Sequence, residues 1–151
     1  MLHFKTLLRS LFTLLAVAGI AALAATSAIA ASPHFIGTPQ LTQSQTAITV
    51  TFKAAGLGNV DVASFTLSGT VDVFSRCYNR GGNKPQADNK QETIAVNDTE
   101  DFAVSNGQTT GSFTISPLST LTCPGSQVVV IESVSYDLTL SGQGLSYNFT
   151  S

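Results

Sequence analysis

The densest group of acidic side chains in the sequence lies in the run Asn97–Asp98–Thr99–Glu100–Asp101. Calcium binds several oxygen ligands, and Asp98, Glu100 and Asp101 could supply three of them. Their spacing does not match the EF-hand loop, and a solvated turn between two edge strands explains the same residues. We therefore predict no metal site, and the sequence leaves open whether these three acids bind calcium.

Histidine is almost absent from the chain that follows residue 30. Nucleophilic catalysis needs a base within hydrogen-bond reach of its nucleophile, and His34, close to Pro33 and Pro39, is the single histidine there. An acid pair of the glycosidase type is not ruled out by sequence, but the chain has no Trp and three Tyr to offer a sugar. We predict no catalytic and no cofactor-binding residue, and a protein that is not an enzyme.

A basic and aromatic segment is the best candidate for recognition. Four of the five basic residues that follow residue 30 lie within residues 76–90. Together with neighbouring aromatic residues they suggest a surface that binds an anion or a protein partner. The candidate residues are Phe74, Arg76, Tyr78, Arg80 and Lys84. The sequence favours a simpler explanation of the same residues, a loop whose charges pair with Asp88 and Glu92.

The N-terminus predicts export. Lys5 and Arg9 precede an apolar run, Leu11–Ala25, of about 15 residues, which suits the core of a signal peptide and is short for a bilayer span. Small residues follow at Ala28–Ile29–Ala30, so we predict a signal peptide over residues 1–30; an uncleaved N-terminal anchor is the alternative. We expect no stable membrane insertion after cleavage and a protein that is secreted or held in the cell envelope.

Export gives the two cysteines a meaning. In an oxidising compartment an even count predicts a disulfide, and Cys77–Cys123 is the one pairing available. It closes a loop of about 46 residues, which stabilises by about 4 kcal/mol in the chain-entropy model. Two free thiols or two metal ligands are the alternatives, but no histidine or acidic partners stand at the spacing of a metal site.

The net charge limits the classes of partner, and the length limits the number of domains. Residues 31–151 contain five basic and nine acidic residues, a net charge of −4, which does not suit nucleic acid or an anionic membrane. The length of this segment fits one domain. We expect an unidentified protein or envelope partner, and a monomer. Asn97 and Asn148 lie in glycosylation sequons, which matter only in a host that glycosylates.

Residues 45–151 show the alternation of strands, after a flexible lead-in over residues 31–44. We expect strands near 46–54, 63–78, 90–97, 100–105, 108–116, 127–140 and 145–151. Asn106–Gly107 predicts a hairpin. Glu132 falls on the apolar face of its strand, beside Val128 and Val130, which predicts a bulge because an unpaired buried carboxylate is costly.

The expected fold is all-β, a β-sandwich of about seven antiparallel strands forming a single domain, with a closed barrel as the alternative. An immunoglobulin-like topology is compatible with this count. No residue argues for it, since the chain has no Trp to complete a Cys–Trp–Cys core.

Two loop motifs resemble those of a group of small exported bacterial proteins that are common in actinobacteria. The first is the run from Cys77 to Lys90, with its Cys-x-Asn-x-Gly-Gly-x-x-Pro pattern, and the second is Cys123–Gln127. The second departs from the group's Cys-Pro-x-Gly-Gln pattern, because Gly125 directly follows Pro124. The resemblance implies a secreted, single-disulfide β domain of bacterial origin, and it adds no site residues.

These features favour a secreted or envelope binding module without enzymatic activity. A pilin-like or adhesive subunit that assembles by strand addition is an alternative, suggested by the alternating C-terminal strand with Tyr147 and Phe149. A secreted hydrolase or enzyme inhibitor is a third possibility.

The leader can be tested directly. Expression in a host that secretes proteins should yield a chain that begins at Ala31, because the peptidase pocket accepts the small residues Ala28 and Ala30. N-terminal sequencing and intact mass of the released protein measure this. Retention of residues 1–30 on a membrane-bound product would show an anchor instead.

Overall fold

Alternating side chains form eight strands in the computed structural model, which describes residues 32–81 and 89–151. The predicted signal peptide lies outside the described residues. The strands are β1 (His34–Phe35), β2 (Gln40–Gln43), β3 (Ile48–Ala55), β4 (Val62–Tyr78), β5 (Asn89–Ala103), β6 (Thr109–Ile115), β7 (Val128–Gly142) and β8 (Leu145–Thr150). No helix that is long and apolar enough to cross a membrane occurs in this part of the chain.

The strands form two antiparallel sheets. In sheet A, β3 pairs with β1 and β2 along one edge and with β6 along the other, while sheet B has the order β5–β4–β7–β8. If β1 and β2 are counted as one interrupted strand, this is the A–B–E and C′–C–F–G pairing of an immunoglobulin-like sandwich. The predicted all-β sandwich is confirmed, with eight strands instead of about seven.

The segment predicted as a flexible lead-in contains the edge strand of sheet A. β1 pairs with the end of β3 and β2 with its start, and between them the Ile36 N–H donates to the carbonyl oxygen of Lys53 at 2.9 Å. Gly37, with a φ of 71°, and the buried Pro39 interrupt this edge. The two pieces are too short to show a periodicity, which is why the sequence did not reveal them.

A second correction concerns β5. The sequence predicted two strands, 90–97 and 100–105, with the acidic run 97–101 as a turn between them. The structure has one strand that pairs with β4 through that run. Polar residues are tolerated there because β4 is the one neighbour of β5 among the described strands, so its acidic side chains remain in solvent.

The Asn106–Gly107 turn forms as predicted, with φ values of 53° and 70°, but it does not join two paired strands. Ser105 and Gln108 make a single bridge. The strand before the turn, β5, belongs to sheet B, whereas the strand after it, β6, pairs with β3 in sheet A. The turn therefore carries the chain from one sheet to the other. The local signal specifies the turn, while burial of the strands on opposite sides of the core separates them.

Phenylalanine rings fill the space between the sheets. The ring of Phe52 in β3 lies 4.6 Å from that of Phe65 and 5.3 Å from that of Phe102, both in sheet B. Its centroid is 6.2 Å from Phe35 and 6.3 Å from Phe113, both in sheet A. Phe52 thus touches aromatic residues of both layers, and this cluster holds the sheets together.

A bulge interrupts β7 at the position that the sequence predicted. Phe74 pairs with Ser133 and Ser75 pairs with Ile131, so Glu132 is an extra residue without an opposite partner. Side chains of β7 therefore change faces at Glu132.

The bulge also corrects the predicted inward face of β7. Val128 and Val130 were expected on the buried face, but they lie opposite Tyr78 and Arg76 on the outer face of sheet B, and Val128 is 43% exposed. Ile131 takes the inward position.

Gly69 offers a test of the β4–β7 register. Its φ is 136°, and a Cβ there would lie 2.0 Å from the carbonyl oxygen of Asp137. Gly69→Ala should lower the free energy of unfolding by about 2–4 kcal/mol, because strain and a steric clash add. Urea denaturation measures this, with Ser68→Ala as the neighbouring control. Equal stability of the two variants would contradict the register.

Candidate binding surface

Three of the five predicted recognition residues share one face of sheet B. Phe74, Arg76 and Tyr78 occupy alternate positions at the C-terminal end of β4, so their side chains point outward together. Arg80 is exposed in the turn that follows, and Lys84 lies outside the described residues. We name the group formed by Phe74, Arg76, Tyr78, Val128, Val130 and Glu132 the disulfide-end surface.

Glu132 organises this surface. The Arg76 Nε lies 3.1 Å from Glu132 Oε2, an ion-pair contact in which the buried Nε–H is not aligned as a hydrogen bond. The Tyr78 hydroxyl donates to Glu132 Oε1 at 2.5 Å. This hydrogen bond, helped by burial, raises the pKa of Tyr78. The bulge thus places one carboxylate where it holds both an arginine and a tyrosine.

Arg76 also packs on an aromatic ring. Its guanidinium carbon lies 5.0 Å from the ring centroid of Phe74, a cation–π contact. The sequence had suggested that the basic residues pair with Asp88 and Glu92. Lys90 does pair with Glu92, whereas Arg76 pairs with Glu132; Asp88 lies outside the described residues.

Polar groups cover most of the rest of the outer face of sheet B: hydroxyls, amides and the carboxylates of Asp72, Asp101 and Asp137. Thr66 and Thr99 share a hydrogen bond of 2.8 Å between their hydroxyls. Thr139 donates to the amide oxygen of Asn148 at 3.0 Å. Aromatic, aliphatic and guanidinium groups are therefore concentrated at the disulfide end of an otherwise polar face.

The predicted disulfide is present and stabilises this end. Cys77 and Cys123 are bonded, and Cys77 is fully buried, as the alternation of β4 predicted. The bond connects the end of β4 to the segment 116–127, which crosses the end of the sandwich before β7.

A carboxylate fixes the same segment to β5. Glu92 Oε2 accepts hydrogen bonds from the Ser119 hydroxyl at 2.8 Å and the Thr120 N–H at 2.9 Å. Glu92 Oε1 accepts one from the Thr120 hydroxyl at 2.6 Å and lies 3.1 Å from Lys90 Nζ. The buried Ser75 hydroxyl is 2.8 Å from that of Ser119. Sequence reasoning missed this network because its members are far apart in the chain and form no motif.

These contacts determine the acidity of Glu92. Burial alone would raise its pKa, but hydrogen bonds from Thr120, Ser119 and Lys90 outweigh burial and lower the pKa from an ordinary 4.5 to about 2. So acidic a carboxylate is a weak general base. Its role is to fix the 116–127 segment.

The acidic run in β5 does not gather around one point. Asp98 and Glu100 lie opposite the buried Leu67 and Phe65, whereas Asp101 lies opposite the outward Ser64. Paired residues share a face, so the three carboxylates divide between two faces. Within residues 32–81 and 89–151, no three His, Cys, Asp or Glu residues are close enough to hold a metal ion.

Charge also separates along the length of sheet B. The disulfide end contains the basic residues Arg76, Arg80 and Lys90 beside the acids Glu92 and Glu132, so three positive charges face two negative ones there. The opposite end, where β4 begins, contains the acidic residues Asp61, Asp98, Glu100 and Asp101.

Glu92 gives a prediction for pH dependence. Because its pKa is lowered in the folded state, the ionised group stabilises the fold above pH 4.5, and this stabilisation is lost as the pH falls towards 2. Glu92→Gln should cost about 1–3 kcal/mol near neutral pH, and its difference from the wild type should shrink below about pH 4.5. Urea titrations at several pH values measure this, with Asp98→Asn as the control. A difference that does not depend on pH would contradict it.

No family model matches this chain, and no curated protein matches it. Among solved structures, it is similar to the sporulation control protein Spo0M of Bacillus subtilis, with 16% identity and a TM-score of 0.31. The similarity covers 78% of this chain and 47% of the Spo0M chain, so the chain spans about half the length of that protein. A TM-score this low carries no argument about fold or function.

Proposed function

We propose that the protein is an exported, non-enzymatic binding module that contacts a protein or envelope partner through the disulfide-end surface. The observation that carries the proposal is the concentration of Phe74, Arg76, Tyr78 and Val128 on a face that is otherwise mostly polar, with hydroxyl, amide and carboxylate groups. Tyrosine and arginine dominate the residues that contribute most to protein–protein binding.

Preorganisation supports the same conclusion. Arg76 and Tyr78 both contact Glu132, and Arg76 also packs on Phe74. Long side chains that are already ordered lose less rotamer freedom when a partner arrives. The disulfide and the Glu92 contacts likewise fix the segment beside this surface, so binding need not order it.

Location in the envelope or outside the cell is part of the proposal. The signal-peptide pattern of residues 1–30 supports it, and a disulfide is typical of exported chains. The resemblance of the two loop motifs to exported actinobacterial proteins supports a bacterial source.

The chemistry of the described residues supports a role other than catalysis. Glu92, whose pKa is about 2, is saturated with hydrogen bonds and is a weak base. His34 is exposed on the short strand β1, where its Nδ1 lies 2.9 Å from the carbonyl oxygen of Ser32.

Retention of a partner tests the proposal. The exported protein, immobilised through its C-terminus, is exposed to envelope and secreted fractions of its source organism, and bound proteins are quantified by mass spectrometry. Arg76→Ala and Tyr78→Ala should each reduce the retained partner at least about tenfold, since truncation at such a position costs about 2 kcal/mol.

The matched control is Thr51→Ala with Thr110→Ala, on the outer face of sheet A. This variant should retain the partner as well as the wild type does. Equal retention by all variants, or loss in the sheet A control alone, would overturn the assignment of the surface. Turnover of a substrate by the purified protein would overturn the non-enzymatic role.

A further inference from the structure

The free edges of the two sheets differ in how they are protected. Unpaired N–H and C=O groups along an edge attract another strand, and proteins block this with charges, proline or short strands. In the described part of the chain, the β1/β2 edge is interrupted at Gly37 and Pro39. The β5 edge carries the acids Glu92, Asp98 and Glu100 on its inward side. The β6 and β8 edges contain neither charged residues nor proline.

The β6 and β8 edges differ in how far their inward side chains are exposed to solvent. Along β6, the inward residues Thr109, Gly111 and Phe113 are buried, and Ile115 at the end of the strand is half-buried. In β8, the inward residues Leu145 and Tyr147 are only half-buried, although both pack against the core. β8 therefore combines an unpaired backbone edge with apolar side chains that an added strand would cover.

We propose that two copies of this chain associate through β8, edge to edge and antiparallel, to form one continuous eight-stranded sheet. This inference does not depend on the disulfide-end surface. It departs from the monomer that the sequence suggested.

The sequence of β8 suits pairing with itself. Apolar and polar residues alternate strictly from Leu145 to Thr150. An antiparallel pair around a two-fold axis perpendicular to the sheet keeps inward residues opposite inward residues. In one such register Tyr147 faces its own equivalent and Leu145 faces Phe149 of the second copy, an aromatic and aliphatic pairing that stabilises strands. This interface is isologous and closes at a dimer.

Charge favours the β8 edge over the β5 edge, which is the other edge of sheet B. Each exported copy has a net charge of −4, so contact through an acidic edge would be repulsive. In the order β5–β4–β7–β8, β8 is the edge farthest from the acids of β5. The nearest acid on β7, Asp137, lies opposite Thr150, at the end of β8.

Sedimentation velocity of the exported protein, with its disulfide formed, tests the proposal. We expect a species of twice the chain mass that dissociates on dilution. Asn148→Lys places a like charge on each copy at the middle of β8 and should raise the dissociation constant at least tenfold. Ser112→Lys makes the matched change on the exposed face of β6 and should leave the dimer intact.

A monomer at the highest soluble concentration would overturn the proposal, as would a dimer that Ser112→Lys dissociates and Asn148→Lys does not. Circular dichroism melting confirms that each variant folds. If Asn148→Lys does not fold, Ser146→Lys, two residues away on the same exposed face, replaces it. A tyrosine-specific readout adds a second measurement, because pairing should reduce quenching of Tyr147 fluorescence by iodide.

Discussion

Packing around Phe52 is the contact on which the rest of the structure depends. Its ring meets phenylalanines of both sheets, and the space for it exists because residue 111 is glycine. A Cβ at Gly111 would lie 2.5 Å from the Phe52 ring. This close approach sets how near the layer that contains β3 and β6 packs to the layer that contains β4 and β5. The registers of β3 with β6 and of β4 with β5 around this cluster decide which side chains of these four strands face outward.

One inserted residue shapes the proposed binding surface. Without the bulge, Glu132 would point into the core, where an unpaired carboxylate is costly. With it, the carboxylate lies outside beside Arg76 and Tyr78, and Val128 and Val130 face outward. A single change of parity thus provides both the charge and the apolar area of the surface.

Features encoded by neighbouring residues could be predicted from the sequence. The period of two in β4 predicted that Cys77 points inward. The predicted export of the chain indicated a disulfide, and the position of Glu132 on an apolar face predicted the bulge. The candidate residues Phe74, Arg76 and Tyr78 could be grouped from the sequence because they alternate on one strand.

Features that depend on contacts between distant segments could not be predicted. Asn106–Gly107 specifies a turn, but the choice of β3 as the partner of β6 comes from burial on the other side of the core. The hydrogen bonds of Glu92 to Ser119 and Thr120 join residues that no local pattern relates. β1 and β2 exist because β3 offers an edge, so their own sequences show little.

The separation of charge along sheet B gives the molecule an electric dipole. β4 contains 17 residues, which span roughly 55 Å at the rise of an extended strand. Among the described residues, three basic and two acidic side chains lie at the disulfide end, and four acidic ones lie at the other end. Near an anionic body, such a molecule rotates until its basic end leads. The dipole would therefore orient the protein before contact, so that a larger share of diffusional encounters begins at the end where its aromatic residues are exposed.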